Sequence, residues 1–247
     1  MKYFAKIKYL GTNFHGFQVQ PGLRTVQGEL CRALSEAFGV ECRVTGCSRT
    51  DSGVHANEFC LTVENDGGTI PAAKLPVAVS RFLPEDLSLF YAKECEPSFH
   101  PRYDVKEKEY LYRIINSRIY DPFEYGRAWF IPRPITDESI SKMNEAAGYF
   151  IGKQDFSSFM AEGSDVDDTV RCVTALSVER HGELIEIKIS ADGFLYNMVR
   201  IIVGTLIEVA FDRMSPCDVK YAIEAHDRSR AGMTAPPEGL YLNRVSY

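Results

Sequence analysis

The sequence predicts an α+β fold, and two features carry the prediction. Segments of period two and of helical period are interspersed without a strict strand-helix-strand alternation. Two period-two runs, Cys172 to Glu179 and Glu183 to Ala191, face each other across His181-Gly182 as an antiparallel hairpin. In order along the chain, Tyr3, Ala5, Ile7 and Tyr9 share one face of a strand, and Val26, Leu30, Leu34, Ala37 and Phe38 recur at helical spacing behind Thr25, whose hydroxyl suits a helix cap. Short strands follow at Glu41 to Thr45, Glu58 to Glu64 and Leu87 to Lys93, with a helix starting at Pro76, because proline fits a first helical turn. Beyond these come strands at Lys108 to Ile115 and Gly126 to Ile131, a helix at Asp137 to Phe150, the hairpin, an apolar helix from about Leu195, another after Ser215-Pro216, and a last strand from Leu240 to Ser246. The boundary between halves is placed near Pro101 to Asp104, giving 1–103 and 104–247, with the final strand in the second. No short repeat is present, which excludes a solenoid.

At about 150 residues per domain, 247 residues make one large domain or two small ones. A composition of 45% hydrophobic, 25% charged and 12% aromatic residues is that of an ordinary folded protein and excludes disorder and collagen-like repeats. The net charge is 28 − 34 = −6, so the molecule as a whole repels phosphate polymers, and a nucleic-acid role requires a local basic cleft. Seven cysteines, none in a CxxC pair, read as reduced thiols of a cytoplasmic protein. The N-terminal segment alternates and carries lysines where a secretory segment would be apolar. The most apolar stretch, Met198 to Phe211, is broken by Arg200 and Glu208 and is shorter than the roughly 20 residues a bilayer requires, so no membrane span is expected.

Three constellations could carry chemistry. Gly46-Cys47-Ser48-Arg49-Thr50-Asp51-Ser52-Gly53-Val54-His55-Ala56 connects two strands and is dense in reactive groups. It reads either as a site presented from a rigid sheet or as a turn in which Asp51 bonds its own backbone and Gly53 supplies a positive φ. Arg200 lies in a helix with two apolar stripes, one of Leu195, Met198, Ile202, Leu206 and Val209 and one of Val199, Val203 and Ile207. A guanidinium there needs an anion or several acceptors, or else extends to the edge over its own stem. Lys108, Tyr110, Tyr112 and Ile114 share a strand face that could stack a base or simply pack the core. Arg102, Lys106, Lys108, Arg113, Arg118, Arg127 and Arg133 give the middle of the chain a basic bias. Gly11 to Gly16 lacks the Lys-Ser/Thr of a phosphate loop. Asp165, Asp167 and Asp168 suggest a cation loop, but Val170 and Leu176 occupy positions where an EF-hand has glycine and glutamate, leaving an acidic surface loop. The five histidines form no HExxH motif, so no zinc site is expected.

The segment Gly46 to Ala56 resembles the active-site motif of the tRNA pseudouridine synthase A family, commonly G-R-T-D-x-G-V-H-A. Thr25 to Leu30, Phe99 to Tyr103, Lys108 to Tyr112, Asp155 to Phe159, Phe194 to Leu206 and Thr234 to Leu242 resemble further family blocks in family order. The resemblance implies the α+β pseudouridine-synthase fold, two similar halves with a mixed, largely antiparallel sheet flanked by helices, a positively charged cleft, and a homodimer. It implies isomerisation of uridine to pseudouridine at positions 38 to 40 of the tRNA anticodon stem-loop, with Asp51 as the catalytic aspartate, Arg49 as the motif arginine, Tyr110 as the active-site tyrosine, Arg200 as the arginine paired with the aspartate and Leu240 as the apolar residue beside the base. The chain departs from common members at Cys47-Ser48, Gln154 and Phe17, none of which removes a group the chemistry needs.

The chemistry agrees with that assignment. Uracil must leave C1′, rotate and rejoin through C5 without net oxidation or hydrolysis, which calls for a carboxylate in an enclosed pocket and for no metal or cofactor. Asp51 could add to the base, add to the sugar, or assist proton removal toward a glycal. An arginine at short range would keep it ionised by lowering its pKa by about 1–3 units. A base in a stem must leave the stack, at a cost of a few kcal/mol, and Arg49 and Tyr110 would hold it there. A noncatalytic RNA-binding module and a carboxylate glycosidase are the alternatives from other classes; for the second, no partner acid stands out.

Overall fold

The computed structural model describes residues 1–163 and 166–247. Asp165, one of the three acids read as a surface loop, lies outside the described residues, whereas Asp167 and Asp168 are exposed. The strands are β1 (Lys2–Tyr9), β2 (Cys42–Gly46), β3 (His55–Asn65), β4 (Leu87–Glu94), β5 (Glu107–Ile115), β6 (Trp129–Phe130), β7 (Gly152–Asp155), β8 (Val170–His181), β9 (Leu184–Ala191) and β10 (Leu240–Ser246). The α-helices are α1 (Val26–Phe38), α2 (Leu75–Ser80), α3 (Asp137–Gly148), α4 (Met198–Ala210) and α5 (Pro216–Glu224). They fall into two compact units, Met1–Lys106 with Tyr241–Tyr247, and Glu107–Leu240.

In the first unit β1 is antiparallel to both β3 and β4. The other edge of β3 is shared: residues 61–65 pair with β2, while His55 and Ala56 take Tyr241 and Leu242 of β10 in parallel. The segment 47–54 therefore leaves the sheet where one neighbour of β3 ends and the next begins. Tyr3, Ala5, Ile7 and Tyr9 are all buried, as their alternation requires. The Thr25 hydroxyl accepts from Gly28 N, and Gly39, at φ 71°, ends α1 in the left-handed conformation that glycine adopts freely. The final strand was expected with residues 104–247, but all of it after Leu240 belongs to this unit. Besides its pairing with β3, Ser246 O accepts from Lys106 N and the Tyr247 hydroxyl donates to Pro101 O.

In the second unit β5 is antiparallel to β9, with Tyr110 opposite Ile189, and β9 forms the expected hairpin with β8, turning at Gly182 with φ 65°. β7 adds to β8, and β6 runs parallel to β5. The strand expected over Gly126 to Ile131 shortens to two residues because the preceding chain is spent in turns, Glu124 N donating to Asp121 O and Arg127 N to Glu124 O. The apolar helix begins at Met198 rather than Leu195, since Met198 N closes a turn onto Leu195 O and Asn197 stands at φ 59°. Both apolar stripes of α4 are buried, so it is covered on most sides.

Candidate active site

The 47–54 connection is a clamped loop. Cys47 N donates to Cys60 O and carries the β2–β3 ladder one residue further. The chain then meets residues 14–17 from both sides: Phe17 N donates to Thr50 O at 3.1 Å, Gly53 N to Phe14 O at 3.3 Å, and the Ser52 hydroxyl to Phe14 O at 3.2 Å. The Thr50 hydroxyl is held by Tyr9 Oη at 2.8 Å in the core. Val54 N donates to Asp51 O at 3.2 Å, and Gly53 lies at φ 80°, so Asp51 opens a four-residue turn. The turn expected here is present, and it fixes the backbone from which the half-buried Asp51 and the exposed Arg49 project. Two glycines make the clamp possible. A Cβ at Gly11 would lie 2.0 Å from Val54 O, and one at Gly16, where φ is 83°, would lie 2.7 Å from Thr50 O.

His55 completes the anchorage. It is fully buried, its Nδ1 accepts from Gly11 N at 2.8 Å, and its ring stacks on Tyr241 at 4.5 Å. An accepting Nδ1 places the proton of the neutral ring on Nε2. From the sequence His55 is weighed only as a metal ligand, and its anchoring role escapes notice because it rests on a bond to Gly11, 44 positions away.

In the second unit, Tyr110 is buried on β5 with its ring 5.0 Å from Phe194 in an edge contact. Tyr112, on the same strand face, is fully buried, and its hydroxyl donates to Pro236 O at 2.7 Å. Burial, with Glu238 adding to it, pushes the Tyr112 hydroxyl well above the usual tyrosine range and keeps it a neutral donor. Gly239 crosses the Tyr112 ring so closely that a Cβ there would lie 2.6 Å from it. Leu240, buried, follows directly.

Arg200 is half-buried in the first turn of α4. Its Nε donates to Ala235 O and its Nη1 to Asn197 Oδ1, both at 2.7 Å, while Ala235 N donates back to Arg200 O. These acceptors are neutral, so they orient the guanidinium without cancelling its charge. The 235–240 segment thus ties Arg200 of α4 to Tyr112 of β5 and leads into Leu240. Arg49 and Asp51 belong to the first unit, and Tyr110 and Arg200 with Leu240 to the second.

A family model described as tRNA pseudouridine synthase matches residues 5–104 and 146–247, which include Arg49, Asp51, Arg200 and Leu240; Tyr110 lies between the matched segments. A tRNA pseudouridine synthase A of Thermoanaerobacter sp. (strain X514) is 43% identical over 241 residues, covering 98% of this chain and 97% of the relative. The protein of that name from Bacillus licheniformis is 42% identical over 250 residues, covering 100% and 99%. A tRNA pseudouridine synthase A 2 of Clostridium tetani is 38% identical over 244 residues, covering 98% and 97%. With a model match over most of its length and relatives this similar end to end, the chain belongs to the tRNA pseudouridine synthase family, a family of isomerases that act on RNA.

Proposed function

We propose that the chain isomerises uridine to pseudouridine in tRNA, at positions 38 to 40 of the anticodon stem-loop, with Asp51 as the catalytic carboxylate. The observation that carries the reading is the clamped turn, which presents Asp51 beside Arg49 from a backbone pinned to residues 14–17. In the reaction the N1–C1′ bond breaks, a C5–C1′ bond forms, C5 gives up its proton and N1 acquires one, so no electrons and no water are consumed. Asp51 stabilises the detached state by bonding to base or sugar or by assisting proton loss. Arg200 supplies the guanidinium that keeps the carboxylate ionised, because opposite charge at short range favours the charged form. Arg49 holds the flipped nucleotide, Tyr110 stacks on the base and serves the closing proton transfer, and Leu240 packs beside the ring.

The enzyme acts as a homodimer in the cytoplasm. A rigid apolar surface supports the dimer. Ile119, Phe123 and Tyr125 are 81%, 84% and 73% exposed, yet their segment is fixed by a two-bond ion pair of Arg113 with Glu124 and by the Asp121 carboxylate accepting from Phe123 N. Seven cysteines with no disulfide among the described residues suit a reducing compartment.

The test maps pseudouridine in tRNA treated with the protein and with Asp51→Asn. Modification at positions 38 to 40 that vanishes in the variant is expected. Binding without modification would leave a noncatalytic module, and release of free uracil would make the protein a glycosidase.

A further inference from the structure

We infer that Asn197 is a positioning residue that holds the Arg200 guanidinium in its working orientation. The inference rests on the reading of Arg200 as the charge that keeps the catalytic carboxylate ionised.

Asn197 breaks two local rules at once. It stands at φ 59° and ψ 8°, a left-handed conformation that residues with a Cβ adopt at a cost, although asparagine tolerates it better than most. It also occupies the position before α4 where an asparagine side chain ordinarily accepts from the exposed N–H groups of the first helical turn. It makes no such bond. Its Oδ1 is turned instead to Arg200 Nη1, three residues on, at 2.7 Å. The helix therefore forgoes its side-chain cap and accepts an unfavourable backbone state, and the structural return is one bond to one guanidinium. Local rules broken together beside a functional group mark a site under functional constraint.

The geometry explains what that bond adds. A guanidinium is planar, and a single hydrogen bond leaves it free to swing about the contact. The Ala235 carbonyl holds Nε at 2.7 Å. The Asn197 amide holds Nη1 at the same distance and so sets the plane. Both of these acceptors are uncharged, so neither neutralises the guanidinium. Asparagine combines the two properties this position needs, tolerance of positive φ and a neutral carbonyl acceptor.

The test is Asn197→Gly, because glycine adopts the left-handed conformation freely and removes only the amide. Turnover is read per folded enzyme, with the folded fraction from circular dichroism and thermal melting. The expected result is a melting temperature at or above that of the unaltered protein, kcat lower by about tenfold to a hundredfold, the cost of a misplaced catalytic group, and a KM for tRNA little changed. Under the proposed function the acidic limb of the kcat–pH profile should also move upward, since a carboxylate that relies on a less firmly oriented guanidinium is protonated more easily. Unchanged kcat and an unchanged acidic limb in folded Asn197→Gly would overturn the proposal, as would a fall in melting temperature without either change. Arg200→Met and Asp51→Asn are assayed alongside. If they keep turnover, the reading of Arg200 fails; if they are inactive while Asn197→Gly is normal, only the present inference fails.

Discussion

Arg200 sits in the apolar helix α4 and donates to two neutral acceptors, Ala235 O and Asn197 Oδ1. Arg200→Met keeps a stem of similar length and loses the fork. It should lower kcat by roughly a hundredfold or more, the scale seen when an oriented electrostatic group is removed, and near-normal turnover at saturating tRNA would remove the arginine from the mechanism. Tyr110→Phe keeps the buried ring and drops only the hydroxyl, so tRNA affinity should hold while kcat falls; equal kcat would leave stacking as the whole role. Asp86 provides a separate test of pH dependence. Hydrogen bonds from Arg24, followed by its charge, hold the Asp86 carboxyl below its usual range against the opposing effect of burial. A lowered folded-state pKa means that the unfolded chain binds the proton more tightly, so this pair stabilises the fold above about pH 4 and stops doing so as the pH falls through the folded value. Asp86→Asn should accordingly lower the melting temperature near neutrality and not in strong acid. The turn that opens at Asp51 was legible in the sequence from Asp51-Ser52-Gly53. The contacts of Asn197 and His55 were not, because they depend on a backbone angle and on a bond to Gly11 that spans 44 positions.

Among the elements, the one that matters most for the site is a loop. Residues 47–54 are held by hydrogen bonds exchanged with residues 14–17, and the close approach is possible because Gly11 and Gly16 lack side chains. Gly16→Ala places a Cβ at positive φ and against Thr50 O. It should cost about 1–3 kcal/mol of unfolding free energy, read by urea titration, and should lower turnover because the displaced loop carries Asp51. A variant with full stability and full activity would show that the clamp is dispensable. The regular elements were legible where periodicity was strong: the buried alternation of β1, the capped stripe of α1 and the β8–β9 hairpin all follow from spacing and turn residues. β7 was not, because Gly-Lys-Gln-Asp has no alternation and the strand exists only by pairing with β8. β6 shrank for the opposite reason, as hydrogen-bonded turns absorbed the residues before it.

For the whole molecule, a net charge of −6 must be reconciled with a polyanionic substrate. Under the proposed function binding depends on local cations such as Arg49, so tRNA affinity should fall steeply with added salt, each phosphate contact contributing to the slope; a flat salt response would contradict a basic binding surface. The rigid apolar segment around Phe123 makes a second prediction. Phe123→Asp should shift the protein from dimer to monomer in sedimentation without unfolding it, because the side chain is 84% exposed within its own chain. A variant that stays dimeric would place the interface elsewhere. At this scale the α+β class was legible from the mixture of periods, whereas the home of the last strand was not: parallel pairing of Tyr241 and Leu242 with His55 and Ala56 joins the two ends of the sequence, and no local pattern announces it.

The central claim, that one carboxylate on a clamped turn drives a bond exchange from N1 to C5, is tested most directly by release of tritium from tRNA labelled at C5 of uridine. The unaltered protein should release tritium in step with the pseudouridine it forms, and folded Asp51→Asn should bind the same tRNA and release none. Tritium release by Asp51→Asn at the rate of the unaltered protein would contradict the account.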